Sequence, residues 1–180
     1  MLRRLRQMFA SHWTGIRVVG SFVLLITVFF SMMTYTPFVE RVDIALGLAR
    51  VSAWISWVIL RFIGIFVGFP VMRDGTILGS GAFEVDVSPA CSGAVPSMIY
   101  ISAVLAYPAS VRSKLIGTGL GLLVINGLNL IRVVVLFLIG LFYAQIFHET
   151  HVYIAQALVV AVAVVTWLYW AGRFAHAPGR

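Results

Sequence analysis

Residues 115–143 read LIGTGLGLLVINGLNLIRVVVLFLIGLFY, an apolar run interrupted only by small residues, two asparagines, a threonine and one arginine. A hydrocarbon core of about 30 Å is crossed by about 20 helical residues. At 1.5 Å of rise per residue this run exceeds the core by roughly 10 Å, so it is expected to tilt strongly or to break near Gly140. Comparable runs lie at 18–35, 92–107 and 152–171. The composition agrees: 61% of the 180 residues are hydrophobic and 11% charged, against about 45–50% and about 25% in soluble domains. The net charge of +7 does not mark a nucleic-acid surface, because the basic residues are scattered between apolar runs. The one cysteine, Cys91, excludes a disulfide framework within the chain. The expected fold is an all-α integral membrane protein, a single membrane domain over 1–180 with several spans.

Charge orients the spans. The run at 18–35 follows Arg3, Arg4, Arg6 and Arg17 and lacks a small-residue cleavage site, so it reads as a retained span. With that leader inside, alternation puts Arg112, Lys114, Arg173 and Arg180 on the cytoplasmic side as well, as the positive-inside rule asks. Glu40, Asp43, Asp74, Glu84, Asp86 and Glu149 then fall outside or at the outer interface. Residues 42–69 fit two readings. Asp43, Arg50 and Arg61 share one helical face, which suits an amphipathic helix along the outer interface; a fifth span with its polar face against other helices is the alternative. Residues 70–90 change texture. The Asp74-Gly75 pair and the alternation Phe83-Glu84-Val85-Asp86-Val87 predict a short β-hairpin at the outer face, which delivers the chain to Cys91.

Three residue types then converge. Cys91 stands where a helix is expected to begin, a setting whose unpaired amides stabilise a thiolate; a buried cysteine acting as a small hydrophobe is the plainer reading. Arg132 lies in the long apolar run, where an arginine costs at least ~2.5 kcal/mol on insertion and must face a cavity or a partner. Asn126, Asn129 and Arg132 recur every third residue as a polar strip, and Asn126, Asn129 and Ser92 are candidate substrate-binding residues. A guanidinium there suits an oxyanion or a carboxylate, and inter-helix packing is the alternative. His151 precedes the last span on the outer side, where an imidazole can take a thiol proton and return it to a leaving amine. His148 competes for that role; His12 and His176 fall on the inner side. Nucleophile, oxyanion donor and base are the parts of acyl transfer. Trp13, Tyr35, Tyr107, Trp167, Tyr169 and Trp170 read as an interfacial aromatic belt, and Gly117, Gly119 and Gly121 as close helix packing. No metal, nucleotide or haem spacing stands out, and no cofactor is expected.

Ala90-Cys91-Ser92-Gly93, Asn129-Leu130-Ile131-Arg132, and His151 with Gln156 ahead of Trp167-Leu168-Tyr169-Trp170 together resemble the exosortase/archaeosortase family over roughly 68–170. The short length is similar to the small exosortase H type. The resemblance implies a multi-pass cysteine transpeptidase of the bacterial inner membrane, with its active site at the periplasmic face. Such an enzyme cleaves the C-terminal sorting signal of exported proteins, whose tail helix lies in the lipid beside it, and passes them to a surface acceptor. It implies Cys91 as nucleophile, Arg132 as oxyanion or substrate stabiliser and His151 as general acid/base. A non-catalytic membrane subunit, or an intramembrane cysteine protease that only hydrolyses, are the alternatives.

Overall fold

The computed structural model describes residues 2–35, 43–81, 83–149 and 155–175. Helices dominate: α1 (Leu2–Thr34), α2 (Ile44–Val67), α3 (Ala94–Ala106), α4 (Val111–Phe142), the short α5 (Ala144–Glu149) and α6 (Ala155–Arg173). Between α2 and α3 lies a small antiparallel sheet of β1 (Met72–Asp74), β2 (Ile77–Ser80) and β3 (Phe83–Asp86), in that spatial order. The expected hairpin is therefore one strand larger. Gly75, φ 58°, opens the two-residue β1–β2 turn with Asp74 paired to Ile77, as a hairpin with glycine at its first central position requires. Gly81, φ 61°, plays the same part between β2 and β3.

The long run neither breaks nor pauses at Gly140: α4 is continuous for 32 residues. A glycine inside a helix costs only about 0.5–1 kcal/mol, and here it admits a partner. The Phe83 ring of β3 occupies the space a Cβ at Gly140 would fill. Phe83 also meets Phe137 and Phe147 edge-on at 5.6 Å, so the sheet and α5 dock on the C-terminal half of α4. Lower on the same helix, Gly117 receives the Trp170 indole and Gly121 the Tyr100 ring. Trp170 is fully buried and its Nε1–H donates to the Ser113 carbonyl at 2.8 Å. It belongs to the core, not to an interfacial belt.

Two apolar clusters are strung along α4. The one nearer its N-terminus joins Tyr100 and Val104 of α3, Ile125 of α4, and Val159 and Trp170 of α6. The one nearer its C-terminus joins Ala53 and Leu60 of α2, Leu78 of β2, Val87, and Val133, Val134 and Phe137 of α4. Near the N-terminus of α4, Lys114 Nζ donates to the Leu105 carbonyl at 2.6 Å, a cation against the last carbonyls of α3.

Helix directions follow from shared neighbours. Ser97 pairs with Asn126 and Tyr100 with Gly117, so α3 runs antiparallel to α4. Val18 and Phe22 of α1 share a groove with Ala103 and Ala106, whereas Phe29 and Met33 share a cavity with Ala94 and Asn126, so α1 runs parallel to α4. Asp43 and Ala45 open α2 at that same cavity, and Phe69 just beyond its end meets Phe142 at 5.9 Å, so α2 also runs parallel to α4. By length and composition α1, α2, α4 and α6 could each cross a membrane. Because α1 and α2 follow one another in the same sense, a bilayer crossed by one is not crossed again by the other. α3, with 13 residues, covers about 20 Å and is too short to cross alone.

Within residues 42–69, Arg50 and Arg61 of α2 are exposed. Asp43 is the N-cap of α2, its carboxylate accepting the Leu46 N–H at 2.8 Å, so it belongs to the end of the helix and not to a face. The buried stripe is small, Ala49, Ala53, Ser56 and Gly64 with Leu60, while Trp54, Val58, Phe62 and Phe66 point outward. Small residues inward and large apolar ones outward is how helices pack in lipid.

The glycine contacts make a testable pair. Gly140→Val should drive a branched side chain into the Phe83 ring and lower stability by about 1–3 kcal/mol. Gly119→Ala, whose Cβ would meet open space, should be neutral or stabilising by up to ~1 kcal/mol. Unfolding midpoints of the two variants in one detergent check both.

Candidate active site

The strand β3 ends into a compact turn. Val87 is buried and its N–H donates to the Thr76 carbonyl at 3.0 Å. Pro89–Cys91 then form one turn of 3-10 helix, with the Cys91 N–H on the Ser88 carbonyl at 2.8 Å and the Ser92 N–H on the Pro89 carbonyl at 3.3 Å. The first residue of α3 is Ala94, so Cys91 precedes that helix by a turn of its own and does not occupy its first turn as the sequence suggested. Pro96 is the third helical residue, where the missing N–H is one of the donors that has no intrahelical partner in any case.

Ser92 is fully buried. Its hydroxyl donates to the Pro89 carbonyl at 2.6 Å and accepts the Ala94 N–H at 3.3 Å. These bonds staple the turn. Gly93, with φ 79°, caps α3 in the left-handed region, where glycine alone is at ease. Its Cα also rests on α4: a Cβ there would stand 3.1 Å from Asn126 Oδ1 and 3.4 Å from Asn129 Cβ. Sequence reading named Gly93 only within the Ala90-Cys91-Ser92-Gly93 motif and gave it no role of its own. The signal for it was the Ser-Gly pair directly before an apolar helix.

The polar strip of α4 faces this turn. Asn129 is 1% exposed and its Nδ2 donates to the Cys91 carbonyl at 2.7 Å. Asn126 Nδ2 donates to the Leu122 carbonyl at 2.8 Å and to Ser97 Oγ at 3.2 Å, joining α4 to α3. Arg132 comes one turn after Asn129 and is half-buried, and Cys91 is half-buried as well. Among the described residues, three polar atoms of the strip are buried without a hydrogen-bond partner: Asn126 Oδ1, Asn129 Oδ1 and Arg132 Nε. Beside the turn a cavity of about 280 Å³ opens between Met33, Asp43, Ser97 and Asn126.

Cys91, Gly93, Asn126 and Asn129 are thus in direct contact through one turn and one helix face, with Arg132 next on that helix. His151 lies outside the described residues. His148 is on α5, which docks through Phe147, and its side chain is likewise outside the described set. Among the described residues no group of three or more His, Cys, Asp or Glu side chains could hold a metal ion.

A family model described as transmembrane exosortase (Exosortase_EpsH) matches residues 8–170, which takes in the Cys91 turn, the polar strip of α4, His148 and His151. Neither the curated proteins nor the solved structures contain a match.

Gly93→Ala should cost about 1–2 kcal/mol from the left-handed backbone alone, with the Asn126 contact added to it. Lowered thermal stability together with slower alkylation of Cys91 by iodoacetamide is the expected result. Unchanged alkylation at normal stability would show that the turn does not depend on this glycine.

Proposed function

The chain belongs to the transmembrane exosortase family, and from that premise we propose that this multi-pass membrane protein is a cysteine transpeptidase that processes the C-terminal sorting signal of exported proteins. The observation that carries the reading is the bond from Asn129 to the Cys91 carbonyl, which joins the one cysteine of the chain to the helix face that bears the intramembrane arginine. A thiol and a guanidinium held on adjoining elements within an apolar bundle suit covalent acyl transfer better than they suit packing. Structural cysteines need no such clamp, and an arginine in lipid is expensive unless it meets charge.

The reaction runs in four steps. The substrate's tail helix lies laterally against the bundle, bringing its scissile peptide to Cys91. The thiolate attacks the carbonyl carbon, and Arg132 stabilises the oxyanion that develops. His151, or His148 in its stead, takes the thiol proton and returns it to the departing amine, leaving a thioester on Cys91. An acceptor nucleophile then attacks the thioester and releases the sorted protein. Asn126 lines the cavity beside the turn and is the candidate contact for the substrate near the scissile bond. The site belongs to the periplasmic side of a bacterial inner membrane, with the basic leader and Lys114 in the cytoplasm.

Processing of an epitope-tagged substrate in membranes tests this. Cys91→Ala should abolish the cleaved product. Arg132→Ala should slow its formation about 10²–10³-fold, with Arg132→Lys recovering part of the rate. Of His148→Ala and His151→Ala, the variant that removes the base should approach the Cys91→Ala level. Unchanged processing by Cys91→Ala would make the chain a non-catalytic subunit, and a product ending in a free carboxylate with every acceptor tried would make it a hydrolase.

A further inference from the structure

Asn129 carries two hydrogen-bonding atoms, and the fold uses one. Nδ2 is committed to the Cys91 carbonyl at 2.7 Å, while Oδ1 is buried with no donor among the described residues. One turn along the same helix, Arg132 Nε is buried with no acceptor among them. Leaving a buried polar group unmade is costly, and folding alone gains nothing from either atom. Residues three apart on a helix stand about 5–6 Å apart at their Cβ atoms. An acceptor and an N–H donor on neighbouring residues of one helix face match in kind the two polar groups of a peptide backbone, one N–H and one carbonyl. Asn129 holds the turn that bears the thiol, and Arg132 follows three residues on along the same helix.

We propose that Asn129 is a two-sided positioning residue: Nδ2 fixes the Cys91 turn, while Oδ1 accepts the backbone N–H of the substrate residue that carries the scissile carbonyl. Arg132 Nε–H meets the oxygen of that carbonyl. Because the side-chain amide is planar, gripping the Cys91 carbonyl also fixes where Oδ1 stands, so the nucleophile and the substrate are registered by one rigid group. This rests on the Cys91 nucleophile reading, and it adds that the enzyme recognises the substrate main chain and not only its side chains or its tail helix.

The test uses the full chain in nanodiscs and two peptidyl chloromethyl ketones that alkylate Cys91. One carries the normal amide at the ketone-bearing residue; in the other an ester oxygen replaces that N–H. The wild type should react about 10-fold faster with the amide probe, the worth of one ordinary hydrogen bond. Asn129→Asp keeps the acceptor oxygen and should keep a preference for the amide probe; Asn129→Leu should abolish it. Iodoacetamide, which has no such N–H, should alkylate Cys91 more slowly in both variants, because both lose the donor to the Cys91 carbonyl. Equal rates of the two probes on the wild type, which requires no variant to fold, would overturn the substrate contact, as would a preference that survives Asn129→Leu. Unchanged iodoacetamide rates in both variants would overturn the positioning of the turn. If no probe modified Cys91 in the wild type, the nucleophile reading itself would fail, an outcome distinct from the others.

Discussion

One hydrogen bond between residues 38 apart in sequence, from the Asn129 side chain to the Cys91 carbonyl, determines how the parts of this protein come together. On one side of it is a turn with little intrinsic stability, a single 3-10 turn followed by a left-handed glycine. On the other is the longest helix of the fold. Backbone carbonyls withdrawn from water must find donors, and in an apolar bundle few donors exist. An asparagine at this level of α4 supplies one, and in doing so decides which face of the helix the cysteine will meet.

α4 acts as the common wall of two apolar cores. Its N-terminal half carries the aromatic packing of α3 and α6, with Trp170 and Tyr100 seated on Gly117 and Gly121. Its C-terminal half carries α2, the sheet and α5, with Phe83 seated on Gly140. The polar strip falls between these clusters, where neither needs apolar filling. Large aromatic rings meeting glycines bring helix axes close through dispersion contacts, the main attraction available where lipid is as apolar as the side chains. Rigid packing above and below the strip leaves its amides and its guanidinium little freedom to find other partners.

Much of this was legible in the residues. Membrane residence follows from composition, and the strand pattern of 83–87 follows from alternation: Val87 is buried and Glu84 and Asp86 are exposed. The polar strip of Asn126, Asn129 and Arg132 could be read because helical spacing is a local property. Other features were hidden. Asp43 shared a helical angle with Arg50 and Arg61, yet it caps the helix, since angular position does not say where a helix starts. Trp170 had the composition of an interfacial residue, but a glycine on another helix gives its ring a buried seat and Ser113 gives its N–H an acceptor. Ser92 stood next to the cysteine like a contact residue, and its hydroxyl is taken up by the turn's own backbone.

The sequence by itself determined that the chain lives in lipid, that its strongest local punctuation falls at 70–93, and which few side chains are too polar to be filler in an apolar run. Those are properties of single residues and near neighbours, set by transfer free energies and backbone preference. Only the tertiary structure decided that α1 and α2 run the same way along α4, and that the cysteine turn meets the strip at Asn129 and Gly93. It alone left two acceptors and one donor of that strip buried without partners among the described residues. Such facts depend on how helices dock, and docking is governed by the shapes of surfaces brought together from distant parts of the chain.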